Sequence, residues 1–325
     1  MTCLRISTMV VCVLTMVVAG CDLFKPATGP DRRLFVSNYG DDTISVIEGD
    51  PEREVKTISV GDSPKGLAIN TTIPLLAVAN STGSQVTLID PVGLEVLRKL
   101  EVGPEPEDVA FSRDGKTLFV SLPTSKQVVA VSVDSGKPAG EPITLDRKPL
   151  RMVMSPDGTR LYVALYDESG GVAVVNTTTL RVEATIPVGR YPTGIGLSGD
   201  GHRLLTAGYD DGTVTVVDTG SLQPIATHQV ETGFGLVVNP TKPIAYSMAS
   251  FDDEVDVLDF ETGKVVATLE LGKFPTYSVV AKDGKFLYLV HEDDNNVVKV
   301  DTETYARVLR IAVGAKPGSA VVFER

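Results

Sequence analysis

The stretch "IPVGRYPTGIGLSGDG", residues 186–201, decides the architecture, because nearly the same words return along the chain about 42 residues apart. The Gly of its "VG", or a substitute, falls at Gly61, Gly103, Asp146, Gly189, Glu231, Gly272 and Gly314. A proline follows three residues later at Pro64, Pro106, Pro149, Pro192, Pro275 and Pro317, and only the unit at Glu231 lacks it. A second marker, an acidic residue or Asn closing an apolar run, sits at Glu48, Asp90, Asp134, Asn176, Asp218, Asp259 and Asp301, in steps of 42, 44, 42, 42, 41 and 42. A third runs from "LFVSN" at Leu34 through "LYVAL" at Leu161 to "LYLVH" at Leu287. Three independent markers of one period define seven repeating supersecondary units.

Each unit holds four short apolar runs bounded by turn residues; in one they are "RMVMS", "LYVAL", "VAVVN" and "VEATIPV", beginning at Arg151, Leu161, Val172 and Val182. Runs this short, rich in Val, Tyr and Thr, are strands rather than helices. Asp-Gly pairs at 114–115, 157–158, 200–201 and 283–284 follow the first run, and such pairs accept the positive φ angles of a tight hairpin, so neighbouring strands are antiparallel. The expected fold is all-β: a seven-bladed β-propeller of four-stranded antiparallel blades. The first unit supplies only its second, third and fourth strands, "LFVSN", "TISVIE" and "VKTISV", while "SAVVF" at 319–323 is a lone first strand. One plus three completes the seventh blade, and pairing 319–323 with 34–38 closes the ring without an unpaired inner edge.

The pattern VGxxPxxVAxSPDGxxLYVAN…VSVIDTxTxxVxxTI is that of the YVTN-repeat β-propellers, WD40-like proteins related to the quinoprotein amine dehydrogenase β-chain, and residues 188–230 here resemble it almost position for position. The resemblance covers 34–323. It implies the propeller fold, but propellers of this kind include envelope binding proteins, subunits of oxidoreductases and lactone hydrolases, so it leaves function open. Asp146 in place of Gly and the proline-free "VETGFG" depart from the pattern in two loops.

Residues 1–20 carry one charge, Arg5, and an apolar run at 9–18 that is too short to span a bilayer but suits a secretory signal. The run ends in "VAGC", which resembles the bacterial lipobox and implies lipidation of Cys21. The domain reading is therefore a signal peptide at 1–20, a lipidated start and Pro/Gly tether at 21–31, and the propeller at 32–325. Cys3 and Cys12 fall in the leader, so Cys21 alone would remain and no internal disulfide can form. The expected location is the bacterial cell envelope, periplasmic or extracellular, with membrane contact through the lipid anchor only.

Without the leader the chain keeps 29 basic and 42 acidic residues, a net charge of −13. That sign, with no basic run, gives no case for nucleic-acid binding. In a propeller the loops joining one unit to the next emerge beside the channel, on the same face as the turns between second and third strands. The first set carries Lys65, Arg147, Lys148, Arg190, Lys273 and Lys316; the second carries Asp210, Asp211, Asp252, Asp253, Asp293 and Asp294, among other acids. The expectation is a cationic mouth inside an acidic crescent, a candidate binding face.

His202, His228 and His291 lie in a turn, a fourth strand and a second-strand end, without metal-ligand spacing, and "HEDDNN" lacks the calcium-loop pattern. No nucleophile elbow or phosphate-cradling loop occurs, so no catalytic, metal or cofactor residue is nominated. The expected function is a non-catalytic, monomeric binding or scaffold propeller recognising a small ligand or an envelope protein. The alternative is a hydrolase of small lactones or esters, or a cofactor-free subunit of an oxidoreductase.

Overall fold

The computed structural model describes residues 32–231 and 234–324. Cys21, with the leader and tether, lies outside them. The described residues form seven four-stranded antiparallel sheets and no helix. Six blades are sequential, at 64–101, 108–144, 148–186, 192–229, 235–269 and 279–312; they are numbered 1 to 6 here, with strands a to d from the channel outwards. Blade 7 joins Pro317–Glu324 to Arg32–Asn38, Thr43–Gly49 and Glu52–Ser59. Its register sets Leu34 against Val322, Val36 against Ala320 and Ser37 against Ser319.

Packing closes the ring independently of these hydrogen bonds. The core falls into seven clusters, each shared by two neighbouring blades. Phe35, Ile44 and Phe323 of blade 7 pack on Leu67, Leu76 and Ile89 of blade 1. Val36, Ile47 and Val322 pack on Tyr288 and Val297 of blade 6. Strands b and c touch a neighbour on both faces, which is why they read as unbroken apolar runs such as Leu75–Asn80, buried throughout. Strand d has solvent on one side, and its exposed stretch carries the Lys and Arg that guard an open edge, as in Glu95–Glu101.

Two repeated words acquire local reasons. In the Asp-Gly turns only the Gly takes a positive φ, 71° at Gly115 and 77° at Gly158. Asp114 and Asp157 instead accept hydrogen bonds from the hydroxyls of Ser112 and Ser155 and from the N–H two residues on, which holds both carboxyls below the usual range. The Gly of "VG" is a matter of space at four of its five positions, while Gly103 also takes a positive φ of 118°. Gly61 N–H donates to Asn80 Oδ1 at 3.2 Å, and a Cβ there would stand 2.6 Å from the Asn80 amide.

The units are not uniform. Strand d of blade 2 shrinks to Ile143–Thr144, because Pro138 and Pro142 lack the N–H a longer ladder needs. The two loops that depart from the repeat still join complete blades; at Glu231 the backbone N–H donates to Asp256 Oδ2 at 3.0 Å.

Candidate functional site at the channel mouth

Strands a and c leave their outer turns on one face, and the connections between blades and the b–c turns gather on the other, the loop face. There equivalent residues at or just before the start of each inner strand meet around the axis: Lys65, Glu107, Leu150, Thr193, Phe234, Thr276 and Gly318, one per blade. They line a cavity of about 390 Å³ at the mouth of the central channel, with Arg151 and Tyr277 one residue deeper and Tyr39, Tyr166, Phe274 and Glu292 from the surrounding loops.

One side of this mouth is built from ion pairs. Lys65 Nζ donates to Glu107 Oε2 at 3.0 Å. Below them Arg151 Nη1 donates to Asp108 Oδ1 at 3.3 Å, and the N–H of Met152 donates to Asp108 Oδ2 at 2.8 Å. Arg151 and Asp108 are only 8% and 6% exposed. The guanidinium crosses the axis and lies 3.4 Å over the ring of Tyr277, three blades away. Burial pushes the Asp108 carboxyl up to about 6, against the pull of Arg151 and two backbone N–H groups. Burial also works against the charge on Arg151, but Tyr277 and Asp108 outweigh it and hold the guanidinium above its ordinary value. Arg151 Nε has no acceptor among the described residues. At the rim, the Tyr39 hydroxyl donates to Glu292 Oε1, and burial and that carboxylate raise the phenol.

The other side is aromatic. Phe234 stacks on Tyr209 at 4.8 Å between centroids and stands 5.4 Å from Phe251 and 6.0 Å from Phe274; Phe251 and Phe274 meet edge to face at 5.6 Å. Tyr166 and Tyr191 form a second pair at 5.1 Å. Phe251 is 57% exposed, so the cluster runs from the cavity wall out onto the loop face. Such rings are costly to leave in water and mark an interaction surface when grouped.

The backbone that presents these groups is unusual and anchored. The residue before the proline sits at positive φ in five connections: Ser63, Glu105, Tyr191, Phe274 and Lys316, at 49° to 56°. This conformation costs a non-glycine residue about 1 kcal/mol. Carboxylates and amides of the b–c turns hold it, since Phe274 N–H donates to Asp253 Oδ1 and Lys316 N–H to Asn295 Oδ1, both at 2.8 Å.

These contacts recast the predicted candidates. Of the six expected cations, Lys65 alone lines the cavity. Arg147 pairs with Asp146, Arg190 with Asp210 and Glu168, and Lys316 with Glu292 and Asp293, so with Lys65 four of the six are in ion pairs. Lys148 and Lys273 have no ion-pair partner among the described residues. Asp211, Asp253 and Asp294 are clamps: they accept the backbone N–H of Arg190, Phe274 and Lys273. Asp252 makes no described side-chain hydrogen bond or ion pair, and its carboxylate is one of those that raise Glu254. Sequence reading missed Asp108, Arg151 and the aromatic cluster. A signal for the cluster existed, because Tyr166, Tyr209 and Phe251 stand directly before the acidic turns in "YDE", "YDD" and "FDD".

Among the described residues no three His, Cys, Asp or Glu side chains converge as a metal site. His291 is buried at the end of strand b of blade 6, where blade 1 has Asn80; burial depresses its imidazole to about 4, with Asp294 opposing, and its Nδ1 has no partner.

Fold and mouth together define a closed seven-bladed propeller of the YVTN and WD40-like kind, with a small chemically divided cavity on one face. The chain belongs to the YNCE-like β-propeller family, whose profile matches residues 10–323. No curated protein matches it. Among solved structures it is similar to the hydrazine synthase of Kuenenia stuttgartiensis, with a TM-score of 0.72 and 18% identity over 81% of this chain and 95% of that one. It is also similar to the dihydro-heme d1 dehydrogenase NirN in complex with DHE, with a TM-score of 0.68 and 18% identity over 90% of this chain and 75% of that one. Likeness at this identity shows the fold alone.

Proposed function

We propose that the protein is a non-catalytic binding propeller of the bacterial cell envelope, fastened to a membrane through acyl chains on Cys21, and that it takes a ligand or protein partner at the channel mouth. One observation carries the binding reading: aromatic side chains from blades 4 and 5 and from the connection into blade 6 meet at a cavity of ligand size instead of being buried between blades. The rigid ring beneath supplies a fixed frame, so selectivity rests in the loops. The "VAGC" stretch ending at Cys21 supports the anchor. A hydrolase would need carboxylates free to act; in the cavity Glu107 is engaged by Lys65, and Glu292 by Tyr39 and Lys316. The oxidoreductase-subunit reading draws only on the names of the two structural neighbours.

The test is purification of the full-length lipoprotein from membranes, followed by mass spectrometry of co-purifying proteins and metabolites. The expected result is a reproducible species that is lost from Phe234→Ala. Co-purification unaffected by that change, or none at all, would refute the site. Cys21→Ala should move the protein from the membrane to the soluble fraction; continued membrane association would refute the anchor.

A further inference from the structure

We infer that the cavity takes a neutral, planar aromatic molecule bearing a carbonyl-type acceptor, its ring against Phe234 and Phe274 and its acceptor toward Lys65. This inference rests on the reading of the mouth as a ligand site and names its chemical class. Size comes first: about 390 Å³ lies at the small end of ligand pockets and suits a body of one or two rings. The wall comes second. Phe234 and Phe274 line the cavity and are backed by Tyr209 and Phe251, so a ring entering there joins an existing aromatic cluster.

Charge decides the head group. The cations at the cavity are already matched, Lys65 by Glu107 and Arg151 by Asp108, while Lys316 at the rim is matched by Glu292 and Asp293. An anion would meet four nearby carboxylates and a cation would have to part a formed pair, each after losing its own hydration. A neutral ligand bears neither cost. Its hydrogen bond must then go to whichever polar atom is both accessible and unspent. Glu107 and Glu292 are only 15% and 17% exposed, whereas the Lys65 side chain is 40% exposed and uses one of its three N–H donors, on Glu107. The accessible charged group is a donor, and the two lining groups without a described hydrogen-bond partner, the Tyr166 hydroxyl and Arg151 Nε, can donate as well, so the ligand brings an acceptor.

Four probes sharing a naphthalene body separate the possibilities in equilibrium titrations of the full propeller: 1-acetonaphthone, naphthalene, 1-naphthoate and 1-naphthylmethylammonium. The expected result is binding of 1-acetonaphthone at least tenfold tighter than the other three. Lys65→Met should remove that advantage, and Phe234→Leu should weaken all four severalfold. Should the single Lys65 variant fail to fold, Lys65→Met with Glu107→Met, which leaves no charge unpaired, carries the same expectation. Tightest binding by the naphthoate or the ammonium would overturn the assigned class while leaving a ligand site at the mouth. Binding unaffected by Phe234→Leu, or no binding of any probe, would overturn the inference altogether; the co-purification experiment then decides separately whether the mouth binds something else.

Discussion

The two halves of the channel mouth share one backbone and divide its chemistry. Where the inner strands begin, blades 1 and 2 place Lys65 and Glu107, while blade 5 places Phe234; one residue deeper stand Asp108 and Arg151 in blades 2 and 3 and glycines, Gly66, Gly194 and Gly235, in blades 1, 4 and 5. The ion-paired half is internally satisfied and holds the channel floor rigid, with Arg151 reaching across to Tyr277. The aromatic half is incomplete, because its half-buried rings end in Phe251, which is exposed. Repetition builds the frame, and departures from it build the site.

The sharpest way to break this contrast is Arg151→Met. It strands the buried Asp108 carboxylate and should cost about 3–5 kcal/mol in urea unfolding, most of it restored by adding Asp108→Leu. A loss under about 1 kcal/mol would mean that the pair does not stiffen the floor.

Acid should act in opposite directions on two buried groups, His291 in blade 6 and Asp108 below the ion-paired side of the mouth. His291 titrates near 4 in the fold against 6.5 unfolded, so the unfolded chain binds the extra proton between those values and stability falls as pH drops from 6.5 to 4. Asp108 titrates near 6 against 3.8, so the folded chain holds the extra proton and stability rises as pH drops through that window. His291→Asn, the residue blade 1 uses, removes the first effect. Relative to the parent it should gain about 3 kcal/mol between pH 7 and 4, read from denaturant midpoints at each pH.

On the aromatic side, Phe234→Ala should cost about 2 kcal/mol because the ring is half-buried and touches three others. Phe251→Ala should cost less than about 1 kcal/mol, since its ring already faces water. Equal losses would mean that Phe251 serves stability rather than recognition. The smallest effect is expected at the rim: Arg190→Met breaks half-exposed pairs with Asp210 and Glu168 and should change stability by about 0.2–1 kcal/mol, less in high salt.

What the sequence reveals depends on how far apart the partners lie in repeats. The blade count and the pairing of 319–323 with 34–38 follow from a single period, because the core is packed between units one repeat apart. Lys65 and Glu107, 42 residues apart at the same position of adjacent units, could be paired on the same logic. Arg151 and Tyr277 could not, because only a closed ring brings units three repeats apart together across its axis. Asp residues that favour turns and Asp residues that clamp the next connection look alike in sequence, and the direction of the side chain separates them only in the folded chain.

Strand b of blade 7 begins at Arg32, on the side of the disc opposite the loop face, beside Asp283 of an a–b turn. The polypeptide thus joins the disc from behind. Ten residues lie between Cys21 and Arg32, eleven steps along the chain and at most roughly 36–40 Å when extended. Were Cys21 the lipid anchor proposed above, a tether of that reach entering from behind would favour seating the molecule with its back to the bilayer and its aromatic opening turned outward, like a dish on a short mast, toward whatever diffuses past the membrane.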